Sequence, residues 1–301
     1  MGKLKIGPLK KQLKTKFSNL PKLILIVALF SLVLLILLLI VLASKVKNQK
    51  IENEFFIESN NFKEPSPTPQ VSQKLQGLFN EKIPSLEGRW AVIAKDLKTQ
   101  KTYQYGENEL FTSASLYKLT IMWAVFEEIK NGSMNLEDSI GNSTVEDALE
   151  AMITISDNET AIAFAEKIGW KNIEDLMKRE GIEIDLTSAN SPLVSAKSIE
   201  YLLERIYLET AVDQNSSQKM KKLLFAQKVN DRIPKYLPPE TAVGHKTGEL
   251  EQIKHNAGIV IGKKSDYIFI FLTETDVPEN AAEEIALLAK EIFDALEQEQ
   301  S

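Results

Sequence analysis

The sequence predicts an α/β (α+β) domain over residues 75–301, in which one β-sheet is built from both ends of the segment. Near its start, Trp90–Leu97 and Lys101–Tyr105 have the apolar and aromatic composition of strands, and a short polar link between them predicts a hairpin. Strand-like segments return near its end at Ala242–Thr247, Asn256–Gly262 and Tyr267–Thr273. Helical segments fill the middle, so we expect a helical lobe beside the sheet, with a cleft between them.

The helices are predicted from runs of apolar residues and from the residues that stop them. Asn131-Gly132, Gly169 and Gly181 each follow such a run, at the position where a left-handed residue ends a helix. The predicted helices are Val71–Glu81, Ser115–Lys130, Val145–Ile155, Glu159–Ile168, Ile173–Glu180, Ala196–Glu209, Ser216–Phe225 and Glu279–Glu299.

A membrane anchor is predicted ahead of this domain. Residues 23–43 form a run of 21 residues without a charge, and a helix of that length spans roughly 30 Å of hydrocarbon. Seven lysines and no acidic residue in residues 1–22 predict a cytoplasmic basic tail. A cleaved signal peptide is the competing interpretation, but its apolar core is typically only about 7–15 residues long. We expect an uncleaved single-pass anchor in the cell membrane, a Pro-rich linker over residues 44–74 and an extracytoplasmic domain.

Charge and residue content exclude several classes of function. Residues 1–50 carry ten lysines and no acidic residue, and the whole chain has a net charge of −6, so the remainder carries −16. An acidic outer domain argues against nucleic acid as a partner. The chain has no cysteine, which excludes disulfides and thiol catalysis. With two histidines and no nucleotide or zinc motif, we expect no metal site and no cofactor.

The pattern S-x-x-K occurs three times, and its context differs each time. Ser44–Lys47 lies at the membrane edge, and Ser216–Lys219 begins a polar helix in which Ser216 is expected to be a solvated N-cap. Ser115–Lys118 opens an apolar helix, on which residues three apart share a face. A helix N-terminus also supplies free N–H groups, so a hydroxyl, an amine and an oxyanion donor would lie close together. Alone, Ser115 is equally well explained as an ordinary N-cap.

Two further triplets lie at the edges of predicted elements. Ser156-Asp157-Asn158 separates two helices, and Lys246-Thr247-Gly248 ends a strand. Taken singly, they are a capping turn and a surface turn. In this order and context, the three patterns resemble the penicillin-interacting serine enzymes, which are the class A β-lactamases and the related D,D-peptidases. The resemblance covers about residues 75–301 and includes His255-Asn256-Ala257-Gly258 at the start of a late strand.

The resemblance implies a β-lactamase/transpeptidase-like fold, with an antiparallel sheet from both termini, flanking helices and an all-helical lobe. It also implies a catalytic set. Ser115 would be the nucleophile, and Lys118 would accept its proton directly or through water. Burial and the nearby Lys246 cation would both lower the pKa of Lys118. Ser156 would relay a proton to the leaving nitrogen.

The same resemblance implies the residues that bind substrate. Asn158 would hold a side-chain amide of the substrate and orient the catalytic lysine. Lys246 and Thr247 would bind the substrate carboxylate, and Gly248 would let the strand approach closely. The backbone N–H of Glu249 would share the oxyanion hole with that of the nucleophile.

One part of the resemblance fails. Class A β-lactamases use a glutamate on an Ω-loop, usually in E-x-x-L-N, to activate the water that releases the acyl group. Residues 181–192 contain no such pattern. Glu183 and Asp185 are candidate deacylation bases, although nothing in their spacing recommends them. Acylation therefore looks complete, whereas deacylation looks impaired or differently arranged.

The sequence thus predicts a membrane-anchored, monomeric serine hydrolase that is acylated by β-lactam amides at Ser115 and hydrolyses them slowly. One alternative is a D-Ala-D-Ala carboxypeptidase that acts on peptidoglycan stem peptides. Another is a sensor or scaffold that has kept the fold without turnover.

Overall fold

A computed structural model of the protein describes residues 74–187 and 191–299. The predicted cytoplasmic tail, the anchor at residues 23–43 and nearly all of the linker lie outside these residues. Within the described ranges, no helix is both long and apolar enough to cross a membrane.

In the described chain, two groups of long strands enclose a helical middle. The strands are β1 (Arg89–Asp96), β2 (Thr102–Tyr105), β3 (Phe111–Thr112), β4 (Ser139–Ile140), β5 (Ser143–Thr144), β6 (Ile184–Asp185), β7 (Leu193–Val194), β8 (Ala242–Leu250), β9 (Ile253–Ile261) and β10 (Asp266–Glu274). The α-helices are α1 (Lys118–Lys130), α2 (Val145–Thr154), α3 (Asn158–Ile168), α4 (Trp170–Arg179), α5 (Ala196–Tyr207), α6 (Gln214–Phe225) and α7 (Pro278–Glu299). Shorter helical turns lie at Leu78–Lys82, Ile83–Ser85, Ala114–Tyr117 and Ile233–Tyr236.

The long strands form one antiparallel sheet in the order β2-β1-β10-β9-β8. The amino-terminal strand β1 pairs with the carboxy-terminal β10, with Val92 opposite Phe271. This confirms the prediction of a sheet built from both ends of the domain. Strand β8 pairs only with β9 among the described strands, so it forms an edge of the sheet.

The three central strands, β1, β10 and β9, bury both of their faces, against different partners. In β10, Ile268 and Ile270 belong to the core shared with the helical middle, whereas Phe269 and Phe271 belong to the core under α7. Successive side chains of a strand point to opposite faces. This is why these strands are almost continuously apolar in the sequence rather than alternating.

The helical middle confirms the predicted segments, but several of them begin at other residues; the helix predicted from Ile173, for example, begins at Trp170. Ser115 does not begin an α-helix: it lies in the 3₁₀ turn Ala114–Tyr117, and α1 begins at Lys118. Ser216 is not the N-cap of α6, because Asp213 caps that helix by accepting from the Ser216 N–H at 2.8 Å. The difference at Ser216 arises because several neighbouring residues can satisfy the first N–H groups of a helix. The difference at Ser115 arises because β7 and β8 pack against the Ser115 turn.

Candidate active site

Ser115 lies on a tight turn between β3 and α1. Its side chain is half-buried, and the preceding Ala114 has a φ of 45°. A left-handed backbone is uncommon for a residue with a Cβ. A hydrogen bond fixes the start of this turn: the Ser113 N–H donates to the Pro192 carbonyl at 2.7 Å. A strained residue therefore sets the direction in which Ser115 leaves β3, as is frequent at functional sites.

Lys118 is fully buried and points to the turn between α2 and α3. Its Nζ donates to the Ser156 carbonyl at 2.5 Å and to Asn158 Oδ1 at 2.6 Å. Both oxygens can only accept hydrogen bonds. A neutral amine has two N–H groups and one lone pair, so these two bonds fit the neutral form and leave the lone pair for a hydroxyl.

The turn that carries Ser156 is also strained. Ser156 has a φ of 64°, in the left-handed region. The next residue, Asp157, caps α3 by accepting from the Thr160 N–H at 2.8 Å. Capping fixes where α3 begins, so the turn presents both the carbonyl and the hydroxyl of Ser156 to Lys118.

The Ser156 hydroxyl is shared by two lysines. Lys246, fully buried in the edge strand β8, donates from Nζ to Ser156 Oγ at 2.9 Å and to the Thr247 carbonyl at 2.9 Å. The Nζ of Lys118 lies 3.3 Å from the same hydroxyl. Three residues that are distant in the sequence therefore meet at one oxygen atom.

Burial makes both ammonium groups easy to deprotonate, whereas the repulsion between them lowers the pKa of Lys246 rather than that of Lys118, for which it was predicted. Burial lowers the pKa of Lys118 to about 8, and the carboxylate of Asp157 opposes this shift. Burial, followed by the positive charges of Lys118 and Arg232, lowers the pKa of Lys246 to about 7. Because two close cations titrate as a pair, the loss of one proton relieves the repulsion on the other. The pair therefore gives up a proton near neutral pH.

Strand β8 comes close to the Ser115 turn at Gly248. A Cβ placed on Gly248 would lie 3.3 Å from the Cβ of Ala114 and 3.1 Å from that of His255. Glycine allows this approach without displacing either neighbour. The backbone of Glu249 then follows along the free edge of the sheet.

An ion cluster that no sequence pattern predicts surrounds the Glu249 side chain. The carboxylate accepts from Arg232 Nη2 at 2.7 Å and also contacts the ammonium of Lys254. Arg232 is fully buried, and its Nε and Nη1 have no hydrogen-bond partner within the described residues. No local pattern marks Arg232, because the contact depends on how the loop before β8 folds back onto the strand.

The two histidines lie in the core of the sheet. His245 Nδ1 accepts from Asn256 Nδ2 at 2.9 Å, which leaves Nε2 to donate to Asn230 Oδ1 at 3.0 Å. Burial lowers the pKa of His245 to about 3, so the ring is neutral. His245 thus supports the strand that carries Lys246. Among the described residues, no group of His, Asp or Glu is arranged to hold a metal ion.

The predicted site residues converge only in part. Lys118, Ser156, Asn158 and Lys246 are joined by hydrogen bonds, whereas the Ser115 hydroxyl forms none with either ammonium in the described chain. Ser115 instead lies one helical turn before Lys118. The proton of this hydroxyl would reach Lys118 either directly, after a rotation of the Ser115 side chain, or through a water molecule.

Glu183 and Asp185 lie elsewhere. Asp185 ends the short strand β6, which β7 separates from β3, and Glu183 precedes it with an exposed side chain. Both residues line a cavity of about 590 Å³ together with Glu174 and Lys178, and its lining includes none of the lysine cluster. Residues 188–190 of the same region lie outside the described residues.

The chain is similar to known proteins of one family. The model of the beta-lactamase enzyme family matches residues 70–296. Beta-lactamase BRO-1 of Moraxella catarrhalis is 27% identical over an alignment of 172 residues, and the match covers 50% of this chain and 55% of that protein. The chain therefore spans about half the length of this curated relative.

Solved structures share the fold. A beta-lactamase from Chitinophaga pinensis is 19% identical with a TM-score of 0.69, covering 75% of this chain and 99% of that one. A beta-lactamase from Sphaerobacter thermophilus is 18% identical with a TM-score of 0.65, covering 76% and 95%. PBP-A is 19% identical with a TM-score of 0.67, covering 77% and 97%, and a mutant of PBP-A was solved as an acyl-enzyme complex with penicillin G. From the family match over residues 70–296 it follows that this chain belongs to the beta-lactamase enzyme family.

Proposed function

We propose that this protein is a serine hydrolase whose Ser115 attacks the amide of a β-lactam ring and carries the acyl group. One observation supports this most directly. The Ser156 hydroxyl lies between two buried lysines, 3.3 Å from Lys118 Nζ and 2.9 Å from Lys246 Nζ. Lys118 follows Ser115 by one helical turn. An ordinary lysine is charged near neutral pH and cannot accept a proton, whereas the burial of this pair lowers both pKa values.

The first chemical step is a proton transfer coupled to attack. Neutral Lys118 takes the hydroxyl proton of Ser115, directly or through a water molecule, while Oγ bonds to the lactam carbonyl carbon. The N–H groups of Ser115 and Glu249 stabilise the resulting oxyanion. The ring C–N bond then breaks. Its nitrogen takes a proton from the Ser156 hydroxyl, which recovers one from Lys118. The serine proton thus ends on the former lactam nitrogen.

Substrate charge would decide which lysine is neutral. In the free site Lys246 has the lower pKa, but a carboxylate held by Lys246 and Thr247 favours the protonated form of Lys246, so Lys118 becomes the base. The Asn158 side chain is exposed, and only its Oδ1 is used by Lys118. Its NH₂ group is therefore available to a side-chain amide of the substrate. The free edge of β8 offers backbone groups to the same substrate.

Release of the acyl group is proposed to be slow. Hydrolysis needs a base that activates water. Within the described residues, no carboxylate forms a hydrogen bond with Ser115, Lys118, Ser156 or Lys246. Glu183 and Asp185 remain candidate bases only if a movement brings them to the acyl group. Neutralising both, with Glu183→Gln and Asp185→Asn, tests this: an unchanged adduct lifetime would exclude them.

The location of the enzyme is also a proposal. We propose that residues 23–43 anchor a monomer in the cell membrane, with residues 1–22 in the cytoplasm and the catalytic domain outside. The run of 21 residues without a charge and the lysines that precede it support this arrangement. Protease added to intact spheroplasts should release the domain, and protection of the domain would contradict the proposed orientation.

Mass spectrometry of the full-length protein mixed with benzylpenicillin tests the chemistry. We expect the mass to rise by one penicillin molecule, to stay raised for many turnover times of an efficient β-lactamase, and to stay unchanged in Ser115→Ala. Rapid return of the free mass with loss of penicillin would contradict slow release. The absence of both adduct and hydrolysis would contradict the proposal. Release of D-Ala from a stem peptide ending in D-Ala-D-Ala would instead identify the carboxypeptidase.

A further inference from the structure

Glu249 covers two buried cations at the end of β8. Its Oε2 accepts from Arg232 Nη2 at 2.7 Å, and its Oε1 contacts the ammonium of Lys254. The other acids nearby lie farther away: Asp231 is 3.7 Å from Arg232, and Glu279 is 3.4 Å from Lys254. The Arg232 side chain is 0% exposed and that of Lys254 8%, whereas 55% of the Glu249 side chain is exposed. Glu249 therefore lies between these cations and the solvent.

Glu249 also lies close to the place where substrate is proposed to bind. Residues two apart in a strand share a face, so Glu249 lies about 7 Å along β8 from Thr247, on the same side. The residue between them, Gly248, approaches Ala114 beside the nucleophile. A carboxylate held by Lys246 and Thr247 would thus lie near the Glu249 carboxylate.

The charge of Arg232 reaches the same site. Its guanidinium contributes to the lowered pKa of Lys246, after burial and the charge of Lys118. Together with Lys254, Arg232 would strengthen the attraction for a substrate carboxylate. The negative charge of Glu249 opposes this attraction, because it pairs with both cations and lies on the substrate side.

We propose that Glu249 is a specificity-determining residue. Its carboxylate neutralises Arg232 and Lys254, and so lowers the preference of the site for substrates that carry a carboxylate over uncharged amides of the same shape. This inference rests on the proposed function, because it concerns the substrate of the same site. It assigns the side chain of Glu249 a role separate from that of its backbone N–H.

The test compares two acyl donors that differ only in charge, benzylpenicillin and its methyl ester. The second-order rate constant for acylation of the full-length protein is measured with each, and the acid-to-ester ratio is the readout. In Glu249→Gln we expect this ratio to rise by roughly fivefold to tenfold, as expected for a unit charge about 7 Å away in a partly solvated site. The increase should shrink at high salt.

Two variants control this measurement. Glu249→Asp keeps the charge, so its ratio should stay near that of the wild type. Glu251→Gln removes a charge from the exposed turn between β8 and β9 and should leave the ratio unchanged. Thermal unfolding of each variant is measured first, because Glu249→Gln removes the carboxylate that pairs with Arg232.

Each outcome decides one of the two proposals. If the acid-to-ester ratio is unchanged in Glu249→Gln, Glu249 does not determine specificity. If the acylation rate constants for the acid and for the ester fall by the same factor, Glu249 only supports the structure of the site. A rise of the same size in Glu251→Gln would also overturn the role in specificity, because the effect would then be one of net charge. If the wild-type protein takes no acyl group from either donor, the proposed function fails instead.

Discussion

The domain contains two described copies of S-x-x-K that share a spacing and little else. Ser115 is half-buried on a 3₁₀ turn, and Lys118 is fully buried and donates to two acceptor oxygens. Ser216 is the third residue of α6, and its N–H donates to the side chain of Asp213, the N-cap of that helix. Lys219 is partly exposed and forms no hydrogen bond or ion pair within the described residues.

This difference shows that S-x-x-K determines only how far apart a serine and a lysine lie in the sequence. The reactivity of the lysine depends on residues from other elements of the fold. Ser156 and Lys246 reach Lys118 from other elements, and neither has a counterpart near Lys219. A lysine loses its proton readily where water is excluded, and more so where another cation is near. Variants made in pairs, one in each copy, test this directly.

Loss of the nucleophile should have the largest effect. Ser115→Ala should reduce the rate of acylation by benzylpenicillin by about 10³-fold or more, because no other group takes its place. Ser216→Ala, the matched variant, should acylate at the wild-type rate. Labelling with a fluorescent penicillin followed by electrophoresis measures both, and equal labelling of the two variants would refute the assignment.

Loss of the buried lysine should come next. Lys118→Met keeps the side-chain volume but removes the base, so acylation should slow by about 10²- to 10³-fold. Lys219→Met removes an amine from the other copy and should change the rate by less than about twofold. Stopped-flow acylation kinetics compare them. A similar loss in both would mean that the lysine acts through net charge.

The pH dependence of acylation should also distinguish the two S-x-x-K copies. Because burial lowers the pKa of Lys118 to about 8, its neutral fraction grows roughly 50-fold between pH 6 and pH 8. With saturating benzylpenicillin, whose carboxylate keeps Lys246 protonated, acylation of the wild type and of Lys219→Met should rise accordingly, and acylation of Lys118→Met should not. A flat profile over this range in the wild type would show that a neutral Lys118 is not required.

The same titration has a consequence for stability. The pKa values of Lys118 and Lys246 in the folded state, about 8 and about 7, lie below the ordinary value of 10.5. Between these values the unfolded chain binds more protons than the native one, so the free energy of unfolding rises with pH. Denaturation between pH 7 and pH 9 measures this, and a fall in stability over that window would contradict burial of the pair.

The smallest effect is expected where β8 meets the Ser115 turn. In Gly248→Ala the new Cβ would lie 3.1 Å from His255 and 3.3 Å from Ala114, so acylation should slow several-fold and stability should fall by about 1 kcal/mol. Gly77→Ala is the control, because nothing lies within 4 Å of its Cβ. Equal stability and rates in both variants would show that the close approach is dispensable.

Much of this site could be predicted from the sequence, and its gaps have identifiable causes. Lys118, Ser156, Asn158 and Lys246 each lie in a short pattern beside a helix cap or a strand end, where local residues fix the backbone. Arg232 could not be found in this way. The contact between Arg232 and Glu249 joins a loop to a strand, and the residues beside Arg232 in the sequence form no pattern that predicts this contact.

The bounds of elements near the site were less predictable. A helix was expected to begin at Ser115, but the residues there form a 3₁₀ turn with a left-handed Ala114. The strain is maintained by β7 and β8, which pack against the turn from distant parts of the chain. Local preferences favour the simpler helix, and tertiary contacts override them.

The amino-acid sequence alone determined the sheet built from two chain ends, the helical middle and the residue types of the site, because apolar periodicity and caps are local properties. The tertiary structure decided that one hydroxyl is shared by two lysines, that the pKa of Lys246 falls along with that of Lys118, and that Glu249 covers Arg232. The burial of a lysine and the distance between two charges depend on residues more than 100 positions apart, such as Lys118 and Lys246. These residues come together only when the chain folds, so local sequence does not determine their pKa values.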